Sequence, residues 1–338
     1  MEGEMQPVPR RVVQSYHVRY QLQRLMGDGG PTLAGAIDLH AHAQTGTEDP
    51  LEMAKRASLA GMGGVVFKNL PDGQPPAKTY RQVVEALHRW AEAEGVTPVQ
   101  CFFGALTDPM YGGLDFAQVR AAVEQGAHVI WFPVISSAHS VHRVGAPLRA
   151  LTGAPYREPV VWPLPWEEAR RYGQYLLEDD GATLKPVARE ILRLAADKGV
   201  AVSFAHSSKP EMEALAEECL RLNFRQAFID HPYGPQVGLE FADLAPFAQA
   251  GIWINFTYDE ISPLLGVDPQ DMMDAIKAIG PEHFTLSSDG GNPLLPGAVD
   301  ALQTLVRYAR AYGLSDAAIH QMTVENPRRV LGLESAAG

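Results

Sequence analysis

Two imidazoles one residue apart end an apolar run, Gly35-Ala36-Ile37-Asp38-Leu39-His40-Ala41-His42. In an extended strand, side chains at i and i+2 leave the same face. His40 and His42 therefore project together, about 7 Å apart at their Cα atoms, and Asp38 lies on the same face one step deeper. Two imidazoles so placed can hold one metal ion. The plain alternative is a pair of histidines that happen to alternate, and a two-residue motif alone does not decide between them. More ligands must come from elsewhere, and four other polar residues stand in similar places. Lys68 ends Gly64-Val65-Val66-Phe67-Lys68, and His206 ends Val202-Ser203-Phe204-Ala205-His206. His231 follows Phe228-Ile229-Asp230, and Asp289 follows Leu286-Ser287-Ser288. Imidazole and carboxylate sets suit zinc first, and also manganese, iron or nickel, as one or two divalent ions.

Residues so far apart in sequence need a scaffold that gathers strand ends. Apolar, β-branched runs over residues 34–40, 64–68, 99–106, 129–134, 200–205, 227–230, 252–256 and 284–288 read as eight strands. Helical stretches separate them. One begins at Asp49-Pro50-Leu51-Glu52, which offers a cap, a proline at the first helical position and an early acid. Another begins at Ser208-Lys209-Pro210-Glu211, a capping box. Alternating strands and helices predict an α/β fold, a (β/α)8 TIM barrel, whose active face is the C-terminal end of the strands. An open doubly wound sheet is disfavoured because no glycine-rich phosphate loop follows strand one. Residues 1–33 read as an N-terminal helical extension, with a helix over 11–26 stopped by Gly27-Asp28-Gly29-Gly30-Pro31. The barrel then spans 34–333, with a last turn capped by Asn326-Pro327 and a frayed end over 335–338. Between strands four and five, residues 135–199 carry no element that the pattern assigns. Residues 135–185 read as an inserted loop: a lid, a substrate wall or an oligomer contact, against a tolerated surface excursion.

Composition limits the partners. The 338 residues include 40 acidic and 28 basic side chains, a formal net charge of −12, which disfavours nucleic acid and polyanionic substrates. Residues 1–9 show no basic region followed by an apolar one, so no secretory leader is expected. No apolar run approaches the roughly 20 residues of a membrane span. Cys101 and Cys219 are far apart and have no metal or redox spacing. A cytoplasmic protein without disulfides is the expectation, with Cys101 a small buried hydrophobe.

The full set now resembles the amidohydrolase superfamily of metal-dependent hydrolases: His40-x-His42 on strand one, His206 on strand five, His231 on strand six and Asp289 on strand eight. The ending Glu325-Asn326-Pro327-Arg328-Arg329-Val330-Leu331-Gly332-Leu333 is similar to the tail common there. The stretches Asp38-Leu39-His40-Ala41-His42, Val66-Phe67-Lys68-Asn69 and Ala205-His206-Ser207-Ser208-Lys209-Pro210-Glu211 resemble a subgroup known mainly as a domain of unknown function, which brings no substrate with it. The resemblance implies metal ligation by His40, His42, Lys68, His206, His231 and Asp289. It implies hydrolysis of a C–N or C–O bond in a small amide, cyclic amide, lactone or ester by metal-bound hydroxide. Asp289 is then general base and acid, and His231 (or His206) steadies the oxyanion.

The chain departs from the family pattern at strand four. Its tip, Trp131-Phe132-Pro133-Val134, lacks the lysine that bridges two metals in many members. Lys68 on strand two has three readings: a carboxylated bridge between two ions, an ammonium that binds a substrate carboxylate or polarises a carbonyl, or a structural partner of Asp38 or Asp289. A nonoxidative metal-dependent decarboxylase is the alternative enzyme, and a metal-stabilised, non-catalytic binding protein the alternative of another class. His139 and His142, just past strand four, and Tyr258, past strand seven beside Asp259, are the candidate substrate contacts. Arg143, Arg149 and Arg157 either read an acidic substrate or solvate the loop. The expected partners are a small-molecule substrate and further copies of the chain, in a homo-oligomeric dimer or tetramer.

Overall fold

Eight parallel strands pair in sequence order: β1 (Ile37–His42), β2 (Gly64–Asn69), β3 (Gln100–Leu106), β4 (Val129–Trp131), β5 (Ala201–Ser203), β6 (Ala227–Asp230), β7 (Trp253–Thr257) and β8 (Phe284–Ser287). The computed structural model describes residues 32–71, 74–147, 151 and 160–333. The expected helix over 11–26, the end over 335–338, and Arg149 and Arg157 lie outside them. Between β8 and β1 the ring closes by one bridge, Ala41 to Gly290. His42 N donates to Gly290 O at 2.9 Å, and Asp289 N donates to His40 O at 2.8 Å. Helices follow the strands, so the (β/α)8 barrel read from the alternation is the observed architecture.

The strands divide their apolar side chains between two cores, as alternation requires. Ile37, Leu39, Val66, Phe102, Trp131 and Phe228 pack inside the barrel, with Val330 and Leu331 in the same cluster. Ala41, Val65, Phe67, Phe103, Ile130, Val202 and Ile229 pack outward, in one core with the helices. The helix starts follow from their caps. The Asp49 side chain accepts from Leu51 N and Glu52 N ahead of Pro50–Leu59. Glu211 reaches back to Ser208 N at 2.8 Å ahead of Lys209–Arg221. Cys101 and Cys219 are both buried and unpaired. No helix among the described residues is long and apolar enough to cross a membrane.

Three features differ from the sequence reading. Residues 135–199 are not without elements: they contain helices Ala138–Arg143, Trp166–Tyr172 and Pro186–Lys198, and a two-residue antiparallel pair, Ala146–Pro147 with Val160–Val161. The third helix has its proline in the first turn and buries Ala188, Ile191, Leu192 and Ala195, a helical spacing visible in the sequence. At the C-terminus, Asn326 is not a cap. Asp316–His320 runs through a π-turn, Gln321–Glu325, into Asn326–Val330. The fully buried Asn326 amide donates to Pro281 O and Phe284 O at 2.8 and 2.6 Å, tying this helix to the start of β8.

The third difference sets the site. The register of β1 against β2 shifts between Asp38 and Ala41, and again before His42. Asp38 Oδ1 accepts from His40 N at 3.1 Å and Ser288 N at 3.0 Å, so the carboxylate takes the place of a ladder partner and bulges the strand. Ile37 and Leu39 therefore face the barrel interior, and so does His40, against Trp131 with ring centroids 6.0 Å apart. Strict alternation put Asp38 on the ligand face. The bulge turns it into the seam between β1 and β8.

Candidate functional site

The strand tips place polar side chains over the barrel mouth by local backbone geometry. His231 follows β6 with φ +34°, and Asp289 follows β8 with φ +46°. Ala205, just before His206, has φ +50°. A left-handed residue outside glycine costs about 1–3 kcal/mol and clusters at functional sites. Here it falls just past a strand end each time, at His231 and Asp289 themselves and one residue before His206. Gly291 has φ +99°, and a Cβ there would meet His42 O at 2.2 Å, so only glycine lets the chain after Asp289 lie against β1.

Four of the six residues proposed as ligands meet closely. Asp289 Oδ1 lies 2.9 Å from His42 Nε2 and 3.2 Å from His40 Nε2, and Asp289 Oδ2 lies 3.8 Å from His231 Nε2. Ligand atoms of His40, His231 and Asp289 all lie within 4.8 Å of one another. His206 stacks edge-on against His231, with centroids 5.0 Å apart, and its Nδ1 lies 3.3 Å from Ser140 Oγ. His231 Nδ1 lies 3.3 Å from the Gln236 side-chain amide, a group that can present either its NH2 or its oxygen. Lys68 is buried on β2. Its positive charge is among the influences that depress His42, His206 and His231.

Protonation suits ligation. Burial pushes the His42 imidazole down against the opposing pull of Asp289. Burial, then the neighbouring His231 and Lys68, holds His206 well below its usual value. His231 is pushed down to about 4 by burial, in spite of Asp289 and Asp230. These rings are neutral at neutral pH, the form that binds metal. Burial alone would raise Asp289, but the imidazoles around it, His40 first and then His42 and His231, hold it well below the carboxylate range. It is an ionised, acceptor-only group at pH 7.

One atom tests whether a metal fits. His40 Nδ1 lies 3.1 Å from Asp230 Oδ1 and gives it its proton. The fully buried Nε2 makes no hydrogen bond, and Asp289 Oδ1 is 3.2 Å away. A neutral Nδ1–H ring would face that carboxylate with a lone pair, an arrangement that a cation between the two completes.

Beneath the ligands lies a layer that the sequence did not announce. Asp230 Oδ2 accepts from Trp131 Nε1 at 2.9 Å and Ser203 Oγ at 2.6 Å, and Asp230 Oδ1 also accepts from Asn255 Nδ2 at 2.7 Å. Each of these residues reads as an ordinary strand position. Polar residues inside β4 to β8, where alternation expects apolar ones, were the available signal. Trp131, on the strand that lacks a bridging lysine, thus supports the site from below. Asp259, noted in the sequence beside Tyr258, is a further titratable group. It sits on the helical turn Tyr258–Ile261 that follows β7, and burial and then Asp289 push it up to about 7.

The remaining predicted contacts have structural partners. His139 Nε2 lies 2.8 Å from Val237 O, and Arg143 Nε donates to Pro235 O at 2.7 Å. Ser137 Oγ donates to His206 O at 2.6 Å. Helix Ala138–Arg143 is therefore fastened across the tips of β5 and β6. His142 is exposed, with Nδ1 2.8 Å from Leu164 O and its ring edge-on to Trp166. Tyr258 is half-buried and packs on the outer core.

The comparisons with known proteins agree with this architecture. A family model described as "Family of unknown function (DUF6282)" matches residues 35–255, which takes in β1 to β6, the start of β7 and five of the six proposed ligands. No curated protein matches the chain in sequence. Among solved structures, an organophosphorus hydrolase from Deinococcus radiodurans is similar at 19% identity and TM-score 0.51, over 90% of this chain and 94% of that one. A mutant of a phosphotriesterase-like lactonase from the same organism is similar at 19% identity and TM-score 0.51, over 88% and 96%. An amidohydrolase from Pseudomonas aeruginosa is similar at 11% identity and TM-score 0.55, over 92% and 98%. At these identities the likeness is one of fold, and it is to barrels of the superfamily that the ligand pattern resembles.

Proposed function

Because the chain belongs to the family of unknown function DUF6282, whose description assigns no reaction, we propose a function from the site itself: a metal-dependent hydrolase that cleaves a C–N or C–O bond of a small amide, cyclic amide, lactone or ester. The observation that carries this is the buried His40 Nε2, which makes no hydrogen bond and faces Asp289 across 3.2 Å. The solved neighbours that share the fold are hydrolases by name, which supports the same reading. His40, His42, His231 and Asp289 would hold the ion, with His206 and Lys68 at its flank, and zinc suits this donor set best. A divalent ion bound there supplies Lewis acidity and lowers the pKa of a water to about 7.

The chain's own residues do the rest. Asp289, kept ionised, takes a proton from the attacking water and returns it to the leaving group. His231, beside the second Asp289 oxygen, steadies charge on the substrate oxygen. Helix Ala138–Arg143, latched over β5 and β6, walls the mouth and limits access of bulk water. His139, on Val237 O, helps to hold that wall in place.

Metal analysis of protein purified without chelator is expected to find one or two divalent transition ions per chain. A chain free of metal that also takes up no added zinc or manganese would remove the reading. Asp289→Asn is expected to keep most of the metal and to lose about 100-fold or more in turnover of a hydrolysable ester or lactone. Undiminished turnover would refute the role of Asp289.

A further inference from the structure

The hydrogen-bond layer under the ligands has a direction. Its atoms are His40, Asp230, Asn255, Ser287, Ser203 and Trp131, all fully buried. Leu39 N lies 3.2 Å from Ser287 Oγ, and a backbone N–H can only donate. Ser287 Oγ is therefore an acceptor there, and its own proton goes to Asn255 Oδ1 at 2.8 Å. With its oxygen so engaged, Asn255 must turn its NH2 to Asp230 Oδ1, at 2.7 Å. Asp230 Oδ1 can then only accept from His40 Nδ1, at 3.1 Å. Leu39 and His40 are neighbours in β1, so the chain of bonds closes through one peptide into a ring that joins β1, β8, β7 and β6.

The other oxygen follows the same logic. Ala205 N donates to Ser203 Oγ at 3.0 Å, so Ser203 must give its proton to Asp230 Oδ2 at 2.6 Å. Trp131 Nε1, a donor only, completes Asp230 Oδ2 at 2.9 Å. Four donors converge on one carboxylate, which leaves no place for a proton on it. The ionised carboxylate, an acceptor only, sets the direction of all four bonds, and the amides of Leu39 and Ala205 fill one lone pair each of Ser287 and Ser203.

We propose that Asp230 is the positioning residue of the metal centre, and that the relay Leu39 N–Ser287–Asn255–Asp230 fixes His40 as the Nδ1–H tautomer, with Nε2 free for the ion. The inference rests on the metal reading above, but the tautomer exists without a metal. A histidine ligand that gives its other N–H to a carboxylate is oriented and made more basic by it, and loss of such a partner costs about 10- to 100-fold in metal affinity. The ring goes further: it makes Ser287, which touches neither His40 nor the ligand cluster, part of metal affinity.

The test compares three variants of the full chain by zinc titration against a chromophoric chelator, and by imidazole 15N NMR of the metal-free protein. Asp230→Asn is expected to weaken zinc about 10- to 100-fold. Ser287→Ala, which deletes the relay hydroxyl, is expected to weaken it at least about 3-fold and to move His40 away from the pure Nδ1–H tautomer. Thr285→Val removes a second hydroxyl that donates to Asn255 Oδ1, at 2.8 Å, but leaves the Ser287 link to Leu39 N and β1 intact; it is expected to keep the Nδ1–H tautomer. A merely structural role would make Ser287→Ala and Thr285→Val alike in affinity and tautomer, and that result overturns the relay. Zinc bound as tightly by Asp230→Asn as by the parent overturns the positioning role. Should Asp230→Asn not fold, the Ser287 and Thr285 pair decides. A parent that binds no zinc refutes the metal reading, and the His40 tautomer in parent and Ser287→Ala then still decides the relay.

Discussion

Gly104→Ala is the substitution whose effect follows most directly from the packing. Gly104 lies on β3, facing the barrel interior beside Trp131 of β4. A Cβ built on it would stand 2.0 Å from Trp131 Cζ3, 2.7 Å from Cε3 and 3.2 Å from Cη2. Carbon atoms pack at about 3.5–4.0 Å, so the indole would have to withdraw by roughly 1.5 Å. It has nowhere to go. Trp131 is fully buried, and its Nε1 is bonded to Asp230 Oδ2 at 2.9 Å. A shift of that size stretches the bond past any useful geometry. Overpacking costs about 1–3 kcal/mol, and a hydrogen bond to a charged group about 1.5–3 kcal/mol. The expected loss is therefore about 3–6 kcal/mol, a large share of the roughly 5–15 kcal/mol that a folded protein has.

Urea unfolding of metal-free protein measures it, with Trp131→Phe as the second arm of a double-mutant cycle. The shorter phenyl ring vacates the space that the new methyl needs. In that background Gly104→Ala is expected to cost at least about 1 kcal/mol less than in the parent. A cost within about 1 kcal/mol of zero in the parent, or an equal cost in both backgrounds, refutes the reasoning.

Two further substitutions test other parts of the chain. Glu260 is fully buried; burial pushes it well above the usual carboxyl range, although its oxygens accept from Tyr233 N and Thr257 N at 2.8 and 2.9 Å. Its folded form keeps a proton that the unfolded chain releases above its ordinary value of 4.5, so this group's contribution falls as pH rises from there toward neutrality. Stability of the parent relative to Glu260→Gln is thus expected to decline over that window in urea titrations, and a pH-independent difference would contradict it. Asn326→Ala removes the side-chain donor to Phe284 O and leaves Pro281 O with the Phe284 N–H alone, and is expected to lower stability by about 1–3 kcal/mol, read as the urea midpoint, with zinc affinity within about 2-fold of the parent because the amide acts at the start of β8 rather than at its tip.

The parts of the site that were legible in the sequence share one property: each is a polar residue that ends an apolar run. His40, His42, Lys68, His206, His231 and Asp289 stand at strand tips because a tip is where the barrel stops burying apolar side chains. Period-two spacing could report that, one strand at a time. Asp230 also ends an apolar run, Phe228-Ile229-Asp230, but its partner on β1 is met only when the barrel closes. Asn255, Ser203 and Ser287 are polar where alternation expects apolar residues, yet their donors and acceptors come from other strands, which spacing within one strand does not name. Asp38 misled because strict alternation assumes an unbroken pleat, and its own carboxylate breaks the pleat. Helix Pro186–Lys198 was readable in principle from Ala188, Ile191, Leu192 and Ala195, whereas the π-turn before Asn326 follows from a tertiary contact with no local signature.

The surroundings of Lys68 connect two questions that the sequence left separate. With Lys68 as an ammonium, the buried site holds two fixed anions, Asp289 and Asp230, and one fixed cation. One divalent ion balances the two carboxylates and leaves a single positive charge, which a substrate anion or a polarised carbonyl can meet. A second divalent ion added to that state would put two dications and an ammonium in a site where screening is weak. Carboxylation of Lys68 exchanges the ammonium for an anion and supplies a bridging ligand. It lowers the charge of the two-metal state to what the one-metal ammonium state carries. On this charge balance, one ion is expected with the ammonium and two with a carboxylated lysine. Either way the hub is Asp230, because the proton it takes from His40 leaves Nε2 open to the first ion in both states.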